Sequence, residues 1–366
     1  MGVLVSKDYI NTNFILKAGK TAMSGANIVA NLYDIAYNYW CTVGGTPDNN
    51  RCPSSDELTS SRYPTIAGHG YIKGMSISAG QTIFLEVSDV GIIVLYPDGY
   101  LDDTAILGAT YYNAGANHGA GEVVIYIPTS EAVLNAFSCG FNGNPVSVGL
   151  NILYLDLSYN YLSAFDGVGF NGLLTLNLDY NYLTDLSFYN IGTLTEVYCS
   201  HNYLSNFYYG YCYNIQVLHL NYNQLNYFWY EYIPNCYNLE LGYNYISTFT
   251  GNYTGSVTGF YFRSNNMSTF NFTNLNNLQA FIGTDNIYLT NVNSMTGSQY
   301  TTLYFNNCAL TETAENYLFE NIIYAGWPST GVLHIEDGTN AASNTWNSTT
   351  LANYMSASNN WDIYTN

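Results

Sequence analysis

The chain has 366 residues, of which 39 are tyrosine and 17 phenylalanine, while lysine and arginine together number seven against 26 aspartates and glutamates. The formal charge of −19 repels phosphate backbones and anionic lipid head groups, which makes nucleic acid and membrane surfaces poor partners, and no nucleic acid is expected. No window approaches the eighteen apolar residues a spanning helix needs, so no membrane insertion is expected, and the length admits two or three domains with a sizeable core.

Residues 1–62 read as an attachment segment. The start, "MGVLVSKDYINTNF", lacks the charged and apolar regions of a secretory signal. A helix candidate, "GANIVANLYDIAYNYW", precedes the irregular stretch "CTVGGTPDNNRCPSSDELTSSRYP". Seven cysteines leave at least one unpaired, and Cys41 and Cys52 close a loop either as a disulfide or as two free thiols. Residues 63–131 change to short β-runs, "YIKGMSIS", "QTIFLEVS", "GIIVLYP" and "EVVIYIP", which predict a small antiparallel domain. Its last strand, ending at Pro128, is expected to lead into the next region and cap it. All four lysines lie before residue 74, so this part is chemically distinct and suits a separate role in attachment.

From 132 to 310 one pattern recurs. Asparagines stand at Asn142, Asn160, Asn181, Asn202, Asn223, Asn244, Asn265 and Asn286, and Cys308 takes the same place last. The first interval is 18 residues, the next six are 21 each and the last is 22. Three and five places before each asparagine stand apolar residues, such as Leu157 and Leu155, Leu178 and Leu176, or Phe262 and Phe260. Two places after come Leu162, Leu183, Leu204, Leu225, Ile246 and Met267, and five places after come Phe165, Leu186, Phe207, Phe228, Phe249 and Phe270. Cys139, Cys199 and Cys236 fall at apolar positions, where a thiol serves as a small hydrophobe.

This spacing resembles the leucine-rich repeat in its short form of about 21 residues. The resemblance implies a mainly β solenoid whose coils stack their short strands in parallel. The asparagine would sit in the buried bend after each strand and satisfy backbone groups of its own and the neighbouring coil. Cysteine is the family's usual substitute there. So short a coil has little room for a full helix, so extended or tight-turn backbone is expected under the Phe column.

Residues 311–366 leave the pattern. "LTETAENYLFENIIYAGW" carries Ala314, Leu318 and Ile322 at helical spacing behind Thr311, an N-cap candidate. A strand through Leu333 and Ile335, the segment "GTNAAS", a short helix and a final strand follow. This ending resembles the C-terminal cap of leucine-rich-repeat proteins encoded by bacteria, their phages and prophages. A solenoid needs such a cap because its last coil would otherwise expose its core.

No nucleophile elbow, phosphate-binding glycine loop or metalloprotease motif occurs, so no enzyme, metal or cofactor is expected. His69 and His118 are loop histidines flanked by glycine that could ligate a metal with nearby aspartates, although such histidines are more often inert. His201 and His219 lie on neighbouring coils at different strand positions, too far apart to share an ion. The outward positions say more. One row on the expected concave face reads Asp156, Asn177, Tyr198, His219, Glu240, Tyr261, and the position before the asparagine gives Tyr159, Tyr180, His201, Tyr222, Tyr243 and Ser264. Such tyrosines either stack on one another and stiffen the sheet or offer a recognition surface of large, hydroxyl-bearing rings. On the second reading the ligand patch comprises Tyr159, Asn177, Tyr180, Tyr198, His201, His219, Tyr222, Glu240, Tyr243 and Tyr261.

These readings lead to a non-enzymatic structural and recognition protein. The expectation is a bacteriophage virion fibre, spike or decoration protein at the virion surface, homo-oligomeric, anchored to other virion proteins by its N-terminal region. Its solenoid would bind host surface glycan or protein. The alternative is a bacterial cell-surface or secreted adhesin.

Overall fold

A computed structural model describes residues 68–365, apart from 88–91, 98–100, 103–109, 114–117, 189–190, 208–212, 230–232, 251–255, 274, 296–299, 325–329 and 342–359. The helix candidate of residues 25–40, Cys41, Cys52 and the expected second helix of the C-terminal region lie outside these residues. The chain divides into two compact units, Met1–Leu173 and Leu174–Asn366.

The first unit holds β1 (His69–Ile77), β2 (Ile83–Val87), β3 (Ile93–Leu95), β4 (Leu101–Asp102), β5 (Thr110–Asn113), β6 (Gly121–Pro128), β7 (Val133–Asn135), β8 (Asn142–Val148), β9 (Tyr154–Asp156), β10 (Tyr161–Leu162) and β11 (Ala164–Phe165). The strand β6 is buried along most of its length and lies between β1 and β3, antiparallel to both. It therefore does not provide the junction with the coils. The strand β2 does so, pairing antiparallel with β7, which in turn runs parallel to β9. A second junction is made by β1, antiparallel to β8. Both pairings shift register near Gly74, whose φ of 80° and close neighbour demand glycine, since a Cβ there would lie 2.2 Å from the Asn144 carbonyl oxygen.

The second unit is a parallel β-solenoid. Its strands β12 (Thr175–Asn177), β14 (Glu196–Tyr198), β15 (Val217–His219), β17 (Asn238–Glu240), β19 (Gly259–Tyr261), β21 (Ala280–Ile282), β23 (Thr302–Tyr304), β24 (Thr330–His334) and β25 (Asn360–Tyr364) pair in that order. The first seven are three residues long because the coil must then turn, and each buries its central apolar residue: Leu176, Val197, Leu218, Leu239, Phe260, Phe281 and Leu303. Across the coil, β13 (Asp185–Leu186), β16 (Tyr227–Trp229), β18 (Thr248–Thr250), β20 (Thr269–Asn271) and β22 (Asn291–Asn293) carry the Phe column in extended backbone. Two parallel pairs form there, β16 with β18 and β20 with β22, placing Phe228 beside Phe249 and Phe270 beside Val292. Phe249, Phe260, Phe262, Phe272 and Phe281 surround Phe270 at centroid distances of 4.7 to 5.7 Å. Such ring pairs add to the apolar burial that holds the coils together.

Among the described residues, the helix α1 (Glu312–Tyr324) follows β23. Thr311 caps it by accepting the Ala314 amide at 3.3 Å on Oγ1, and Glu312 and Glu315 place negative charge at its positive end. Ala314, Leu318 and Ile322 are its buried stripe, and Leu333 and Ile335 of the next segment are fully buried.

The bend after each strand is stitched twice. Asn160, Asn181, Asn202, Asn223, Asn244, Asn265 and Asn286 are all buried. In the second unit the side-chain NH2 of Asn223 donates to the carbonyl of Leu220 in its own coil, at 3.1 Å, and of Cys199 in the preceding coil, at 2.9 Å. Its Oδ1 accepts the Leu204 amide at 3.0 Å. Asn202 and Asn244 repeat the same set of bonds. In the first unit Asn160 bonds Ala136 and Leu157 through its NH2 and Phe141 through its Oδ1. A short amide is the side chain that serves both a donor and two acceptors in so small a space.

Asn142 does not belong to this row. It is an exposed residue opening β8, a strand paired with β1. The first place in the row is Cys139, 21 residues before Asn160, fully buried and donating its thiol to the Phe84 carbonyl. Cysteine thus stands at both ends of the asparagines, for Cys308 is also buried, with its thiol 3.3 Å from the Gly283 carbonyl. The row then continues one coil further than expected. Asn340, buried, accepts the Leu310 amide at 2.8 Å and donates to Phe305 and Ile335, taking up the asparagine's bonds after an arc of 32 residues that includes α1. Burial pushes the Cys139, Cys236 and Cys308 thiols up to about 12 and that of Cys199 well above its usual value, so all four are packing groups.

Candidate recognition surface

The outward residues sort into three rows, set by backbone geometry. The first lies on the sheet. Strand register aligns Asn177, Tyr198, His219, Glu240 and Tyr261 in the second unit. Tyr198, His219 and Glu240 contact one another in sequence. Tyr198 donates its hydroxyl to Glu196 and stands edge-on to the His219 ring, 4.9 Å between centroids. The His219 Nε2 lies 3.1 Å from the Asn238 amide nitrogen and 3.4 Å from Glu240, whose other oxygen accepts from Asn221. Burial lowers the His219 pKa and outweighs the opposing pull of Glu240 and Glu196, so the ring is neutral at neutral pH. Asp156, in the first unit, is buried and accepts from the amide and hydroxyl of Ser158.

The second row is the residue just before each asparagine, and its backbone was not foreseeable from side-chain type. Ser138, Tyr159, Tyr180, His201, Tyr222, Tyr243, Ser264, Asp285 and Asn307 all have φ between 52° and 60°. Tyrosine in this left-handed region costs about 1–2 kcal/mol. What holds it there is the hydrogen bond to the next coil: the amides of Tyr180, His201, Tyr222 and Tyr243 donate to Ser200, Asn221, Gly242 and Arg263. The rings add a second restraint. Tyr180, His201, Tyr222 and Tyr243 form one column, nearly parallel, with centroids 4.0, 4.2 and 4.1 Å apart. At its end the guanidinium of Arg263 lies 6.0 Å from the Tyr243 centroid and pairs with Asp285 at 2.9 Å, an exposed pair worth at most about 1 kcal/mol. Burial lowers the His201 pKa, as its place between two rings requires. Tyr159, in the first unit, instead packs tilted against Phe137 at 5.0 Å.

Of the ten residues of the expected patch, nine lie in the second unit, in two rows. Asn177, Tyr198, His219, Glu240 and Tyr261 share the sheet row, while Tyr180, His201, Tyr222 and Tyr243 share the stacked column. Between neighbours in that column the ring faces cover each other, so there the rings meet solvent by their edges and no sugar ring can stack between them.

A third row escaped the sequence reading, although the recurring "NYL" and "NYI" of residues 160–162, 181–183, 202–204 and 244–246 signal it. The residue after each asparagine is Tyr161 in the first unit and Tyr182, Tyr203, Gln224, Tyr245, Asn266 and Ile287 in the second. All are exposed, the tyrosines by about half. Its backbone is regular, since the amides of Tyr203, Gln224, Tyr245 and Asn266 donate to Leu183, Leu204, Leu225 and Ile246, each at 2.9 Å.

Among the described residues no three His, Cys, Asp or Glu side chains gather as a metal site would require, and no helix is long and apolar enough to cross a membrane. His69 opens β1, and His118 is buried with its ring stacked on Tyr96 at 3.8 Å.

No protein-family model and no curated protein matches the chain. Among solved structures it is similar to one titled as the functional domain of InlJ from Listeria monocytogenes, which includes a cysteine ladder. The match has 12% identity and a TM-score of 0.35, and it covers 43% of this chain and 45% of that one, so less than half of that structure is spanned.

Proposed function

We propose that this is a non-enzymatic recognition protein displayed on a bacteriophage particle as a fibre, spike or decoration. Its N-terminal region anchors it to other virion proteins as a homo-oligomer, and its solenoid contacts host surface glycan or protein. The carrying observation is the contrast between an invariant interior and variable, tyrosine-rich outer rows held on rigid coils. Large rings that lose little freedom on binding, flanked by Asn, Ser and carboxylates, suit recognition. The reading of the repeat as the short bacterial and phage type, with a phage-like C-terminal cap, supports display on a particle. That cap would be built from α1, β24, the turn around Asn340 and β25.

Purified virions imaged by electron microscopy and digested for peptide mass spectrometry should contain the chain in stoichiometric amount. Its absence from particles overturns the virion reading, and its recovery from the bacterial surface instead gives the adhesin. Replacing Tyr198 and Tyr222 together by Ser should abolish attachment to host cells. The unfolding temperature should fall by no more than about ten degrees, since three ring pairs are lost and each is worth about 0.5–1.5 kcal/mol. Unchanged attachment would remove these two rows from the binding surface.

A further inference from the structure

We propose that Tyr203, Gln224 and Tyr245 form a slot that clamps one pyranose ring of an uncharged glycan. The inference rests on the recognition reading above but uses residues outside the rows considered there.

The three side chains occupy equivalent places on consecutive coils, fixed by the same amide bonds to the coil before. Tyr203 and Tyr245 are 48% and 56% exposed, and the residue between them is an exposed glutamine. Where tyrosines occupy adjacent coils in this row they lean on each other: Tyr182 and Tyr203 are 5.8 Å apart and tilted by 43°. The glutamine breaks that contact. With one coil skipped, the two positions lie about 9.6 Å apart, twice the strand spacing, which is the width available to a guest when the two rings stand parallel. Contacts of about 3.5–4.0 Å on each side leave roughly 2 Å for the thickness of the guest itself. A puckered saturated ring fills this, whereas a flat aromatic ring would lose contact on one side.

A pyranose chair presents apolar C–H faces to the two tyrosines and a rim of hydroxyls to the Gln224 amide, which both donates and accepts. On a chain of charge −19 the guest is uncharged, because an acidic sugar would be repelled. The stacked column of Tyr180, His201, Tyr222 and Tyr243 has no such opening, since its faces are spent on each other.

The test uses the full chain against immobilised cellohexaose, maltohexaose and a mannan, with melting curves recorded for every variant. At least one neutral glycan should bind, and Tyr203→Ser and Tyr245→Ser should each weaken it about tenfold. Gln224→Tyr discriminates, for it adds an aromatic ring while closing the slot: binding should vanish with the unfolding temperature unchanged or raised. A strip that merely adheres through exposed rings would bind as well or better. Binding undiminished in Gln224→Tyr, or no binding of any neutral glycan, overturns the proposal. Loss in the Tyr198→Ser/Tyr222→Ser protein together with retention in Gln224→Tyr overturns the slot and spares the recognition reading. The reverse pattern supports the slot alone.

Discussion

Asn223→Leu should destabilise the second unit by about 2–4 kcal/mol, because the leucine leaves the Leu204 amide without its partner in a dry bend. It also strips one of two side-chain donors from the Cys199 and Leu220 carbonyls, which keep Asn202 at 3.4 Å and Asn244 at 2.9 Å. The orphaned amide costs about 1–3 kcal/mol, and the lost bonds to the two carbonyls add to it. Chemical denaturation of the full chain measures it, and Asn226→Ala, at an exposed site, is the control within about 0.5 kcal/mol. Asn223→Cys should fall between the two. A thiol can still reach a carbonyl of the preceding coil, as Cys308 does with Gly283, but it cannot accept the amide as strongly. A loss below about 1 kcal/mol for Asn223→Leu would show that the row does not hold the coils.

Phe270→Ala is expected to cost about 3–5 kcal/mol for a different reason: it opens a cavity among the five phenylalanines that now surround the ring. Phe270→Leu keeps much of the volume and should recover over half of the loss. Differential scanning calorimetry separates the two variants, and equal losses would mean that ring packing is not what matters at this position. The two sites also differ in coupling. Asn223 and Phe270 share no partner, so the double variant should be additive within about 0.5 kcal/mol.

The coil period, its apolar positions and its parallel sheet were legible because each repeats a demand that only certain side chains meet. Burial of Leu176, Leu218 and Leu239 in one column needs nothing beyond alternation. The phase of the first coil was not legible. Asn142 has the right residue type, but Cys139 has the right spacing, and a thiol is as good a filler where the partners are carbonyls alone. Asn340 was hidden by the arc containing α1, which breaks the count without breaking the hydrogen bonds. The left-handed column was invisible for another reason: tyrosine has no preference for that backbone, and it adopts it because the next coil accepts its amide. The sequence did reveal tyrosine rows, yet it could not say which had their faces free. That depends on ring spacing, which follows from the backbone angle.

The amide seam fixes only where successive coils hand over to one another, and it is indifferent to the path the chain takes between handovers. Intervals of 21, 22 and 32 residues all deliver a residue to the same place. Whole arcs can therefore be exchanged like cassettes, with a helix traded for an extended stretch, while the sheet and its outer rows keep their register. A lineage under pressure to change what it touches can vary the outer rows point by point. One under pressure to change its girth can swap an arc, and neither need disturb the other.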